Sequence, residues 1–69
     1  MYKIVKIHKY DSYYPNRKQL MGLTGTFEEK RSTESGFRTG MFTYTEPAPS
    51  FLNGRTSSYF YGVKLEEVK

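Results

Sequence analysis

Five short stretches of the chain are dense in β-branched and aromatic residues, and glycine or proline separates them. Strands carry that composition and turns carry the separators. Tyr2–Tyr10 is the first predicted strand. Its apolar residues fall on both parities, with Tyr2, Ile4 and Tyr10 on one and Val5 and Ile7 on the other. A half-buried strand alternates strictly. This one is therefore either buried on both sides for part of its length or carries a bulge that switches faces. Leu20–Phe27 is the second strand, with Met21, Leu23 and Phe27 inward. Phe37–Thr45 is the third, with Phe37 and Met41 on one face and Phe42 and Tyr44 on the other. Ser58–Val68 is the last. There Tyr59, Tyr61, Val63 and Leu65 alternate as core residues, which turns Phe60, Gly62 and Lys64 outward.

The punctuation agrees. Asp11–Gln19 is a polar loop in which Pro15 suits the start of a helical turn over Asn16–Leu20. Glu28–Gly36 reads as a long hairpin connection or as strand ends splayed into solvent. Pro47-Ala48-Pro49 stops the third strand, because proline donates nothing to a ladder. Asn53-Gly54 is a strong turn signal, and Phe51-Leu52 and Arg55-Thr56 around it predict a short projecting hairpin. Gly22, Gly25 and Gly40 fall inside strand patterns, where glycine marks a bend or a close backbone approach. No helix of ordinary length fits between these breaks. The expected fold is a single all-β domain over residues 1–69, a small SH3-like barrel of four to five antiparallel strands, since closure removes exposed edges.

Size sharpens the picture. A chain of 69 residues buries only about 60% of its unfolded surface. With no cysteine and only one His and one Asp, neither a disulfide nor a structural zinc site is available for support. Seven Tyr and five Phe remain, each able to bury roughly 150–250 Å². A ring-dominated core is expected, with homodimerisation as a second support. The opening residues carry no apolar run of signal-peptide length, and no stretch approaches the roughly 20 apolar residues of a membrane span. The expected location is the cytoplasm, with no membrane partner.

The net charge of +4 is concentrated at one end. Residues 1–20 hold five bases (Lys3, Lys6, Lys9, Arg17 and Lys18) against Asp11, whereas residues 21–69 hold six bases and six acids. A local excess steers a polyanion; lysines on a strand edge also simply keep it soluble. Catalytic material is poor. A nucleophile and base would need His8 at their centre, and His8 lies between Lys6 and Lys9 in a strand. The neighbours Glu28-Glu29 and Glu66-Glu67 point to opposite faces of their strands. Gly22-Leu23-Thr24-Gly25 lacks the lysine and the helix of a phosphate-binding loop. The chain reads as a non-enzyme that needs no cofactor and no metal.

Bases interleaved with rings give the sharper expectation, because single strands bind by stacking on rings while Lys and Arg track phosphates. Lys3, Lys6, Lys9, Arg17 and Lys18, joined by Arg38 and Arg55, are the candidate phosphate contacts. Tyr13, Tyr14, Tyr44 and Phe60 are the candidate stacking rings. Tyr13-Tyr14 stands out, since two adjacent tyrosines before a proline in a polar loop are hard to bury together.

Leu20-Met21-Gly22-Leu23-Thr24-Gly25-Thr26-Phe27 resembles the core of a KOW motif, in which apolar-x-Gly-x-x-Gly-x-apolar opens a strand of an SH3-like barrel. The resemblance covers eight of the 69 residues. It implies binding to RNA, ribosomal components or transcription machinery. Gln19 and Lys18 stand where the family has a basic, glycine-rich approach. The layout is also similar to that of short phage and Firmicutes proteins. The expected partner is nucleic acid, RNA or single-stranded DNA. The alternative is a larger protein, or a second copy, met through exposed rings as by a phage-type inhibitor or adaptor. Tyr10-Asp11-Ser12-Tyr13-Tyr14 resembles the tyrosine-rich specificity loop of SH3 domains, though the chain has no Trp for the aromatic ridge.

Overall fold

The computed structural model describes residues 1–32, 36–45 and 50–68. Its strands are β1 (Tyr2–Ile7), β2 (Thr24–Ser32), β3 (Arg38–Tyr44) and β4 (Ser57–Glu67). Each pairs antiparallel with the next, and β1 pairs with β4 as well, so the four close into a barrel. The closing seam between β1 and β2 is short, with Tyr2 opposite Gly25 and Lys3 opposite Thr24. Beyond it, Ile4 donates to the Leu23 carbonyl and accepts from the Gly22 N–H. No described helix is long and apolar enough to cross a membrane.

Ile4, Ile7, Leu20, Phe42, Tyr44, Phe60 and Val63 form the core. The rings meet edge to face: Phe42 lies 6.2 Å from Phe60 and 5.3 Å from Tyr44. Tyr44 donates its hydroxyl to Ser58 Oγ at 2.9 Å, so the one core phenol is paired. Gly25 and Gly40 let β2 and β3 cross closely over these rings. A Cβ on Gly25 would stand 2.0 Å from the Thr43 carbonyl oxygen, and one on Gly40 2.1 Å from that of Glu28.

Bulges decide which residues face inward. In β1 the register slips at Val5. Ile4 and Ile7 are therefore both buried, three residues apart, while Val5 is 41% exposed. Of the two explanations for the mixed parity of this strand, the bulge is the one that holds. A second slip sets Tyr61 and Gly62 of β4 against Thr39 alone, between the pairs Gly40–Phe60 and Arg38–Val63. That slip corrects the expectation for the last strand. Phe60 is 0% exposed and Tyr61 is 62% exposed, the reverse of strict alternation. Val63 returns to the core because one residue has been absorbed by the bulge.

Three other boundaries move. The stretch resembling a KOW strand is not a strand throughout. Leu20 closes a helical turn, Gly22 takes φ +84°, and β2 begins only at Thr24. In return β2 runs on to Ser32, so of the two readings of Glu28–Gly36 the solvent-exposed strand end holds as far as Ser32. Phe51-Leu52 is no hairpin arm, since Ser50–Leu52 forms a 3₁₀ turn. The Asn53-Gly54 turn does form, with positive φ at both residues and Arg55 N–H bonded to the Leu52 carbonyl. β3 ends at Tyr44; the Pro47-Ala48-Pro49 stop lies outside the described residues.

Candidate functional site

The loop after β1 is the largest feature outside the barrel, and its shape follows from a few local bonds. Asp11 Oδ1 accepts the Tyr13 N–H at 2.8 Å, an Asx turn that starts the loop. Pro15 then opens a 3₁₀ turn, Tyr14–Asn16, which runs straight into the single helical turn α1 (Arg17–Leu20). Leu20 is buried and pins α1 to the barrel. The other Asp11 oxygen, Oδ2, accepts the N–H groups of Tyr61 at 2.7 Å and Gly62 at 2.9 Å, the two bulge residues of β4. One buried carboxylate thus satisfies three backbone donors and fastens the loop to the opposite strand. Asp11 read in the sequence only as part of a polar loop. The Asx turn was legible in Asp11-Ser12-Tyr13; the bonds to β4 were not.

Held this way, the loop brings four of the expected bases around one ring. Val5, Lys6, Tyr14, Arg17, Lys18 and Met21 surround one open hollow. Lys6, His8, Lys9, Tyr14 and Phe37 surround the next. Lys6, Ile7 and Tyr14 belong to both, so Lys6, Lys9, Arg17 and Lys18 form a continuous basic face centred on Tyr14. No carboxylate lines either hollow among the described residues. Arg17 lies over the Tyr14 ring at 3.9 Å and donates from Nη1 to the Tyr14 carbonyl at 2.9 Å. That fixes its guanidinium in place and leaves most of its N–H donors free of that bond.

The remaining expected residues lie elsewhere. Lys3 sits before the β1 bulge, across from Glu66 and 4.0 Å from its carboxylate. Arg38 donates from Nε to Glu29 at 2.5 Å and lies near the rings of Tyr2 and Phe27. That carboxylate holds the guanidinium charged more firmly than usual. Arg55 donates to the Tyr13 hydroxyl at 3.0 Å, and the two stand on a separate hollow beyond α1. Tyr13 also packs against Phe60 at 5.0 Å, so its ring is half-buried. Phe60 and Tyr44 are core residues and present no stacking face, which corrects both expectations. Tyr10, which strand parity groups with Tyr2 and Ile4, is an exposed ring, 82% accessible with Lys9 5.4 Å from its centre.

His8 stacks on Tyr10 and meets Phe37 edge-on, and its Nδ1 accepts the Tyr10 N–H at 3.1 Å. These contacts brace the turn after β1. Among the described residues no group of three His, Asp or Glu side chains is placed to hold a metal ion. No family model matches the chain, and no similar protein was found among curated proteins or solved structures.

Proposed function

We propose that this chain is a non-catalytic module that binds single-stranded nucleic acid, RNA or DNA, in the cytoplasm. The phosphates lie on the face made by Lys6, Lys9, Arg17 and Lys18. One observation carries the reading: four cations converge around Tyr14 from two separate segments of the chain, and no described carboxylate lines the hollows between them. Surface lysines kept only for solubility have no need to converge, and Lys3 and Arg38, which do not, have acidic neighbours. Tyr14 under Arg17 supplies a ring in that face, and the exposed Tyr10 stands next to it, beside Lys9 and His8.

The test is a salt titration. A labelled single strand of roughly a dozen nucleotides should bind with log K falling against log salt at a slope of about −2 to −3, as expected for three or four phosphates neutralised on a single strand. Replacing Lys6, Lys9 and Lys18 together by Gln should flatten that slope by about 2. Replacing Lys3 should leave it almost unchanged. Binding that ignores salt, or a slope indifferent to the triple substitution, removes the proposal.

A second reading has its own support. Tyr61 is 62% exposed beside Tyr59, with ring centres 5.2 Å apart on the outer face of β4. Exposed tyrosines of this kind mark protein interfaces, with a larger protein or a second copy as partner. That mode predicts a weak response to salt and loss of association on Tyr61→Ala.

A further inference from the structure

The hollow beyond α1 differs in chemistry from the basic face. Tyr13, Asn16, Gln19, Phe51, Asn53 and Arg55 stand around about 220 Å³ of space. Among the described residues, no acidic side chain and no lysine lines it. Three carboxamides supply both donors and acceptors. Phe51 offers a ring face at 40% exposure, and Arg55 is held over the wall by its bond to Tyr13. The volume lies below the roughly 300–1,000 Å³ of pockets that enclose a drug-sized ligand, so it suits one ring system rather than a larger molecule.

Its position gives the ring system an owner. α1 is the wall between this hollow and the basic face: Arg17 and Lys18 stand on one side, Asn16 and Gln19 on the other. Tyr13 lines this hollow, and Tyr14, next in the chain, lines the two of the basic face. A helix with its side chains is about 10–12 Å across, a width that a strand of a few nucleotides spans. A strand whose phosphates sit on Lys6, Arg17 and Lys18 therefore has an unpaired base within reach of the carboxamides.

Resting on the nucleic-acid reading above, we infer that the Asn16–Gln19–Asn53 hollow takes one unstacked nucleobase of the bound strand. The base lies against Phe51 or Arg55, with its polar edge toward the carboxamides. Such edges are read in single strands by side-chain amides and stacking rings. Phosphates then supply the salt-dependent part of binding, and this hollow supplies preference for a base over no base, and for one base over another.

Fluorescence anisotropy on the whole chain tests this with two labelled strands of equal length, one bearing bases and one an abasic deoxyribose-phosphate chain. The wild type should bind the base-bearing strand at least about tenfold more tightly, the lower range of one stacked base, with the same salt slope for both. The pair N16A and Q19A should cut that advantage severalfold and leave the abasic strand and both slopes unchanged. Both residues are exposed, and a circular dichroism melt on the same sample reports whether the fold is intact. F51A provides a second variant, expected to lose the same advantage. Equal affinity for the two strands, or an advantage undiminished in both variants, overturns this inference and leaves the basic face standing. Failure of either strand to bind in a salt-dependent way overturns the underlying reading and this inference with it.

Discussion

Asp11 holds Gly62 across 51 positions of sequence, through a 2.9 Å bond from the Gly62 N–H to Oδ2. The same carboxylate takes the N–H groups of Tyr61 and Tyr13. It therefore sets two things at once: the bulge that lets Phe60 and Val63 both face the core, and the loop that carries Tyr14, Arg17 and Lys18 to Lys6. Asp11→Ala leaves three backbone donors without that partner. A charge-assisted hydrogen bond contributes about 1.5–3 kcal/mol, and an orphaned buried donor costs a comparable amount. The expected loss is about 3 kcal/mol in urea unfolding, with a smaller loss for Asp11→Asn, which keeps one acceptor oxygen. Less than about 1 kcal/mol, the typical worth of a single neutral hydrogen bond, would mean that the clamp is not what holds the loop.

Inverted parity in β4 makes a sharp mutational contrast. Phe60→Ala removes a ring from the centre of the core, at an expected cost of about 3–5 kcal/mol. Tyr61→Ala trims an exposed ring and should shift stability by no more than about 0.5 kcal/mol. Chemical denaturation of the two variants separates this register from strict alternation, under which Tyr61 is the expensive residue.

Burial pushes the Tyr44 phenol above its ordinary value, with Ser58 and Arg55 opposing the shift. The folded state thus favours the neutral ring. Its contribution is fully present below the unfolded value of about 10 and is lost as pH rises through the higher folded value. Wild-type stability should therefore fall on the alkaline side, and Tyr44→Phe should fall less steeply there. At neutral pH Tyr44→Phe should be the less stable of the two by about 1 kcal/mol, having given up the bond to Ser58. Urea midpoints measured across the alkaline range check both signs. Parallel slopes for the two proteins would show that Tyr44 is not the group responsible.

Much of this architecture was legible in the chain. Periodicity, Pro15 and the Asn53-Gly54 pair marked out the strands, the helical turn and one tight turn. Gly25 and Gly40 marked the close crossing of β2 and β3. What misled was the period itself. Each bulge inserts one residue and breaks the period across it, so Phe60 and Val63, three apart on either side of the β4 bulge, both face the core, and the parity that fits Val63 misplaces Phe60 and Tyr61. The stabilising partner of the β4 bulge, Asp11, lies at the other end of the chain, where no local pattern points to it. For the candidate site, the charge count singled out the segment that carries Lys6, Lys9, Arg17 and Lys18. It could not separate Lys3, which β4 places beside Glu66, from Lys6 and Lys9, because that depends on register.

If one face of the barrel carries the ligand, residue-by-residue amide shifts measured while a short single strand is added will outline that face. Perturbations should gather at Lys6–Lys9 and Tyr14–Leu20, and reach Asn53 and Arg55 only with strands that carry bases. Movement confined to Tyr59 and Tyr61, or no movement at low salt, would contradict that placement.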